Sequence, residues 1–452
     1  MKVAVIGAGI SGLSCAWKLE RLFAARGDHG SSVTLFESNN YFGGHSNTVD
    51  VGFHTADGFV EHGVDTGFLV FNPQTYPQLV NLFRELDVPV AASDMSFAVS
   101  LPSINLEWAG SNLDTVFAQR RNLVNPRFLR MLRDIMRFNR ITTALAASNE
   151  LERLQLSLGE FLEFHRFSAE FRDWYFLPMA GCIWSCPTAQ MRDFPVRTMI
   201  RFCHNHGLLQ VSDRPQWSTV RGGSREYVRR MLAQLSDARL DPVLAVRRQS
   251  PIQSSGVQVH SVNGVDTFDE VVFACHSDQA LALLHGPSED EQRVLGSVQY
   301  QKNRAVLHTD TSLLPARKKV WSAWNYTSLP AASRAGGGDY SAQVCVHYLI
   351  NRLQPLPAAW GEQAVIVSLN PVREPAPERV LREFDYAHPV FNAKALAAQH
   401  ELQRLQGRGC VWYCGAWTGY GFHEDGLRSG LNIAQHVAAL AALRRPRLPS
   451  AA

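Results

Sequence analysis

The feature that most restricts what this chain can fold into is Gly7-Ala8-Gly9-Ile10-Ser11-Gly12, which follows at once on the apolar run Val3-Ala4-Val5-Ile6. Lys2 to Ile6 has the length and composition of a buried strand. Gly12 to Phe23 repeats apolar residues at helical spacing through Leu13, Ala16, Trp17 and Phe23, and Val33 to Phe36 reads as a second strand closed by Glu37. A GxGxxG alone is a weak signal. Between a strand and a helix, with an acid at the end of the next strand, it defines a dinucleotide-binding βαβ unit. Gly7 permits the tight turn, Gly9 leaves the backbone open to a pyrophosphate, and Gly12 lets the helix lie close on the strand. The amides of Ile10, Ser11 and Gly12 present the positive end of the helix to the phosphates. Glu37, with Ser38 beside it, is placed to meet the ribose hydroxyls.

At 452 residues the chain exceeds one small core, which predicts two lobes. A net charge of +3 is too small to imply nucleic acid. The 8 cysteines include no CxxC pair; Cys182 and Cys186, like Cys410 and Cys414, read as reduced, mostly buried thiols. His204-x-His206 lacks a third ligand at suitable spacing, so no metal is expected. Met1-Lys2 runs straight into the first strand, so no signal peptide is expected. No apolar run reaches the roughly 18 residues of a membrane span. A cytoplasmic protein is the expectation.

Further along, Pro73 to Leu86 reads as a helix. In Asn125 to Arg140 the helical spacing puts Phe128, Leu129, Leu132, Ile135 and Met136 on one face and Arg127, Arg130, Arg133, Arg137 and Arg140 on the other. Such a helix either lies on an anionic bilayer, with part of its apolar stripe exposed at the mouth of a cleft leading towards the dinucleotide, or is an ordinary surface helix with its arginines in water or paired with acids and Phe128, Leu132, Ile135 and Met136 all buried. Leu158 to Phe176 continues the helical region. Strands are expected at Leu208–Val211, Val243–Val246, Val257–His260, Glu270–Ala274, Ala305–His308, Gln343–Leu349, Ala364–Leu369 and Val411–Cys414, and a closing helix at Leu427–Leu443.

NAD and FAD share the N-terminal unit, and Gly43-Gly44 chooses between them: Glu37-x5-Gly43-Gly44 is the second glycine signature of two-dinucleotide-fold flavoproteins. The chain resembles the flavin amine oxidase, protoporphyrinogen oxidase and phytoene desaturase superfamily. Val64-Asp65-Thr66-Gly67, Val220-Arg221-Gly222-Gly223-Ser224, Asp241-Pro242-Val243, and Cys414-Gly415-Ala416-Trp417 with Glu424-Asp425-Gly426-Leu427 carry the resemblance. It implies an α/β fold: a Rossmann-like FAD-binding domain (1–70, 206–288 and 400–452) interleaved with an α+β substrate domain (71–205 and 289–399). It also implies that Val243 meets the adenine. Gly415, Ala416, Glu424, Asp425, Gly426 and Leu427 would form the flavin segment, where a helix N-terminus points at the N1–C2=O edge. Tyr41 and His45 stand where that superfamily often has arginines, so the phosphate and ribitol contacts are expected to be partly rearranged, with His45 a candidate cofactor-binding residue.

Pro178 to Ser185, Asn205 to Leu209, Ala323 to Tyr326 and Gly421 to Gly426 narrow the resemblance. They look like the predicted NAD/FAD-binding oxidoreductases that accompany cyclopropane-fatty-acid-synthase-like methyltransferases. That association implies a fatty-acyl substrate and a methyltransferase partner.

Hydride transfer to a flavin needs proximity more than acid–base groups, so few catalytic side chains are expected. Many amine oxidases place a lysine near N5 on a substrate-lobe strand. Here Lys302, Arg304 and His308 alternate on one face of a candidate strand, as a replacement for that lysine or as a solvated face. His423 either donates to a flavin edge or caps its helix. Trp324 and Tyr326 either wall a cleft or pack in the core. Oxidation or desaturation of an acyl chain leads. Oxidation of a small amine, with Trp417 and Tyr420 in an aromatic cage, is the second reading. A flavin-binding scaffold for the methyltransferase and non-redox flavin chemistry are the others.

Overall fold

The computed structural model describes residues 1–185, 190–210, 215–249, 256–328 and 345–444. Its first sheet has five parallel strands in the order Val411–Tyr413, Glu270–Phe273, Lys2–Ile6, Ser32–Glu37, Asp237–Leu240. The central strands are buried on both faces, which is why they read as continuous apolar runs. The βαβ unit is closed by strands far along the chain. A three-stranded antiparallel meander, Val243–Arg248, Val257–Ser261 and Val265–Phe268, packs Val243 into the cluster of Ile6, Phe36 and Phe268.

The second large sheet has seven strands in the order Val380–Val390, Gln299–His308, Ile366–Leu369, Cys345–Leu349, Trp324–Thr327, Phe97–Leu101, Leu106–Ala109. All neighbours are antiparallel except Trp324–Thr327 with Phe97–Leu101. Helices from residue 126 to 205 pack around an aromatic cluster built on Phe138, Phe161, Phe171 and Phe176.

The first helix, Ile10–Ala25, lies along the last, His423–Arg444. Small residues set this approach: a Cβ on Gly430 would stand 2.2 Å from Ser11 O, and one on Gly426 2.9 Å from Ser11 Oγ. The C-terminal segment is thereby locked onto the nucleotide loop.

Three expectations need correction. Leu208 is not in a strand: the helix Val196–Asn205 ends in a turn in which Gly207 takes φ +65° and Leu208 N–H reaches back to Cys203 O at 2.9 Å. That is a glycine-terminated helix end; Val211 lies outside the described residues, as do Cys186 and residues 343–344. Leu158 to Phe176 is not one helix but Leu158–Phe164, Ala169–Phe171 and a π-helical turn Arg172–Phe176. The arginine-rich helix, Pro126–Ala146, is rolled about its axis. It buries Phe128, Met131, Asp134, Phe138, Asn139 and Thr142, and leaves Leu129 and Met136 41% and 58% exposed. Asp134 accepts the Ser168 backbone N–H at 3.0 Å, and Phe138 joins the aromatic cluster. These two tertiary contacts outweigh the apolar stripe.

Candidate functional site: the nucleotide loop and a wall of neutral imidazoles

Gly7 takes φ +103°, and its N–H meets Phe36 O at 2.8 Å. A Cβ on Gly12 would sit 1.8 Å from Gly7 O, so only glycine lets the helix start this close to the turn. A Cβ on Gly9 meets nothing within 4 Å. The helix beyond Gly9 has no side-chain cap and no acid in its first turn, which leaves the amides around Ile10 and Ser11 for an anion. Gly43 and Gly44, at φ +122° and +59°, run beside this loop, with Gly43 N–H on Ala8 O at 2.9 Å. An open cradle between two glycine turns at a bare helix start fits a dinucleotide pyrophosphate.

Glu37 is buried beneath the loop and accepts Ala8 N–H at 2.7 Å and Asn39 N–H at 2.9 Å. Both oxygens are already engaged, so ribose hydroxyls would use its remaining lone pairs. Ser38 is exposed beside it, 3.4 Å from Glu37 Oε1.

Two motifs distant in sequence are tied together by a buried carboxylate. Asp65 accepts Thr48 Oγ1 at 2.5 Å, the Ser224 N–H at 2.9 Å and Gln354 Nε2 at 2.9 Å. Its neighbour Thr66 shares a 2.7 Å hydrogen bond with Tyr386.

In the C-terminal segment, Gly415 N–H donates to Ser429 Oγ at 2.9 Å, and Ala416 begins a 3-10 turn to Thr418. Glu424 accepts the Gln78 and Leu79 amides at 2.9 and 3.0 Å, which caps the helix Pro77–Glu85. Asp425 accepts the Tyr420 and Phe422 amides and Arg428. The side chains of these two acids are therefore consumed inside the protein, and what the segment can offer a flavin is backbone at the helix start, where Gly426 and Leu427 follow. Trp417 is buried in the core with its Nε1–H on Cys275 O, not free to face a substrate.

Of the candidate catalytic residues, the structure brings only His423 to this region. Its Nε2 lies 2.7 Å from Tyr227 OH, and its ring stacks on Phe68 at 3.9 Å. Tyr227 in turn bonds Ser46, next to His45. Lys302 is exposed; Arg304 pairs with Glu374 and Glu383, each at 2.9 Å; His308 is buried against Ser368. All three occupy the far face of their strand. Side chains alternate along a strand, so the neighbour Asn303 takes the near face and reaches His388 Nδ1 at 2.8 Å. Trp324 meets Tyr348 edge to face and Tyr326 is buried, so both pack in the sheet core. His206 stacks on Phe202 rather than pairing with His204.

His276, His388, Tyr227, Tyr386 and Asn303 were not singled out from the sequence. They belong to separate segments, and only a one-residue shift of the Lys302–Arg304 register would have pointed to Asn303.

Burial holds the imidazoles of His45 and His276 down to about 4, and those of His388 and His423 down to about 3. Each of these residues is half-buried and closely surrounded by protein atoms. Between the ordinary value of 6.5 and about 4 the unfolded chain takes up protons that the folded chain refuses, so stability is full above 6.5 and falls with pH. Each histidine held neutral contributes up to about 1.4 kcal/mol per pH unit, less for its open portion. The urea midpoint should drop by a few kcal/mol equivalent from about pH 7.5 to 5.5. A flat profile would show that these rings are solvated.

The profile of the flavin containing amine oxidoreductase family matches residues 10–438. No curated protein matches the chain. Among solved structures, the fatty acid isomerase from P. acnes aligns at TM-score 0.63 and 14% identity over 96% of this chain and 98% of its own. Cyclohexylamine oxidase from Brevibacterium oxydans aligns at 0.65 and 14% over 98% and 99%. Putrescine oxidase aligns at 0.64 and 15% over 97% and 99%. The chain belongs to the flavin-containing amine oxidoreductase family and is an FAD-dependent oxidoreductase of the amine oxidase superfamily.

Proposed function

We propose that this flavoenzyme oxidises or desaturates an apolar, fatty-acyl substrate. The carrying observation is that no buried carboxylate of this region, among the described residues, has an oxygen free of protein donors. Among the described residues, the buried carboxylates there, Glu37, Asp65, Glu424 and Asp425, all accept protein donors, and the histidines are neutral. An alkylammonium would have to compete with these donors for every carboxylate oxygen. Beside His423 the packing is aromatic: Phe422 stacks on Phe202 at 4.8 Å, and Trp184 and His206 flank Phe202 at 4.5 and 3.8 Å, with Phe202 and Trp184 buried in the helical cluster. A fold neighbour is by name a fatty acid isomerase, which supports room for an acyl chain on this scaffold. Bound FAD supplies the two-electron acceptor, at N5; the protein's part is to hold the chain against it and exclude water.

Anaerobic mixing with candidate substrates tests the reading. Long-chain acyl lipids should bleach the flavin absorbance, and small amines should not. Bleaching by amines alone would make the protein an amine oxidase. No bleaching by either would favour the scaffold reading, with capture of a cyclopropane-fatty-acid-synthase-like methyltransferase as its check.

Among the described residues no helix is long and apolar enough to cross a membrane. We infer that the helix Pro126–Ala146 and the turn before it dock on an anionic bilayer. Val124 is 82% exposed, and Leu129 and Met136 are exposed on a helix that also exposes Arg130, Arg133 and Arg140, of which Arg130 stands 3.9 Å from Glu170 and Arg133 3.9 Å from Asp134. Each arginine at such a surface contributes about 1 kcal/mol. Co-sedimentation with anionic vesicles at low salt should therefore weaken by about 100-fold when Arg130, Arg133 and Arg140 become Glu. Equal sedimentation of the triple variant would end the docking reading.

A further inference from the structure

The strand pair Gln299–His308 and Val380–Val390 carries a hydrogen-bond chain whose direction is fixed. The Arg304 backbone N–H can only donate, and it donates to Asn370 Oδ1 at 2.9 Å. Asn370 Nδ2 is thereby turned to Asn303 Oδ1 at 2.7 Å. That leaves Asn303 Nδ2 for Gln301 O at 3.2 Å and His388 Nδ1 at 2.8 Å. Gln301 O can only accept, so both ends of the chain agree on the amide orientation. His388 Nδ1 is an acceptor, and the neutral ring carries its proton on Nε2.

The His45 ring lies 5.1 Å from His388 and is stacked on Tyr386 at 5.0 Å. Tyr386 is itself pinned by Thr66 and Asn47. His45 Nε2 is buried with no protein partner. Its position is set by the nucleotide loop: it directly follows Gly43-Gly44, and a Cβ on Gly44 would touch Gly9 Cα at 3.1 Å. A buried, unpaired polar nitrogen beside an open cradle requires a partner that the protein does not supply.

We propose that His45 and His388 hydrogen-bond the bound flavin nucleotide, His388 as an Nε2–H donor whose tautomer is imposed by the Arg304–Asn370–Asn303 chain. This rests on FAD binding and not on the acyl-substrate reading. The contact is a neutral one. A proton on His388 Nδ1 would face the Asn303 N–H, and a charge on any of His45, His276 and His388 is opposed by another of the three. The other ionisable groups around them include Tyr41, Tyr386 and Tyr300, the last stacked on His276 at 4.2 Å, and Cys275, all held protonated by burial, and His423, which burial keeps neutral.

Nitrogen NMR of the protein labelled in histidine tests this directly. His388 should show a bare Nδ1 and a protonated Nε2, unchanged from about pH 5 to 8. Adding FAD to the apoprotein should shift the Nε2 signals of both His45 and His388. In Asn303→Asp a carboxylate faces Nδ1, so Nδ1 should gain a proton while Nε2 keeps its own, the ring should become cationic near neutral pH, and FAD affinity should become salt-dependent. His388→Phe should weaken FAD binding, read by flavin fluorescence, about tenfold, the size of one buried hydrogen bond. A wild-type His388 protonated at Nδ1, or imidazole signals that FAD leaves in place, overturns the proposal even if the variants fail to fold. A chain that binds no FAD at all would instead contradict the family assignment.

Discussion

Gly9→Val is expected to fold like the unaltered chain and to purify without flavin. The backbone at Gly9 (φ −70°, ψ −177°) is one that valine adopts, and a Cβ there would have no atom from elsewhere in the protein within 4 Å. The apoprotein therefore has little reason to object. That same space is the approach of the pyrophosphate to the loop backbone, and a branched side chain closes it. FAD affinity should fall by at least about 100-fold, as the phosphate contacts and the helix-start interaction are lost together. Circular dichroism and the apoprotein melting temperature check the fold, and flavin fluorescence checks binding. Stoichiometric FAD in this variant would remove the nucleotide from the loop. Gly12→Val is the contrast: its Cβ would collide with Gly7 O, so that variant should not fold at all.

Gly430→Val should cost more stability than any surface substitution. Its Cβ would lie 2.2 Å from Ser11 O and 2.4 Å from Ser14 Oγ, both on the first helix. Backbone cannot yield as a side-chain tip can, so the two helices must separate. The expected loss is about 3 kcal/mol or more, read as a lowered denaturation midpoint. Because Gly426 in the same interface seats the start of the last helix, flavin should be lost with it. Truncation before Gly415 should lose flavin for the same reason, although the whole N-terminal motif is retained. Full flavin content in either protein would mean that the C-terminal helix does not complete the site.

Much of the nucleotide unit was legible because its signals are local. A tight turn, a close helix start and an open cradle each demand glycine at a fixed offset, and Gly7, Gly9 and Gly12 supply them within six consecutive residues. The strands beside them are buried on both faces, so Val3 to Ile6 and Val33 to Phe36 announce themselves by composition. Even the distant strands Glu270–Phe273, inside the sheet, and Val411–Tyr413, at its edge, could be placed from their short apolar runs.

The reactive wall was decided only by tertiary structure. Whether Lys302 or Asn303 faces the cleft is a matter of one residue of register, set by pairing with Val380–Val390, and nothing within residues 299–308 carries that information. His45, His276, His388 and His423 come from four separate segments; His45 and His423 lie in motifs the sequence marks, but His276 and His388 have an unremarkable sequence context. The roll of the helix Pro126–Ala146 was settled by Asp134 reaching Ser168 and Phe138 reaching its aromatic neighbours. Local sequence determined where a nucleotide can lie, because backbone shape is a near-neighbour property; which side chains look at it was left to packing between distant segments, because facing is a property of pairs.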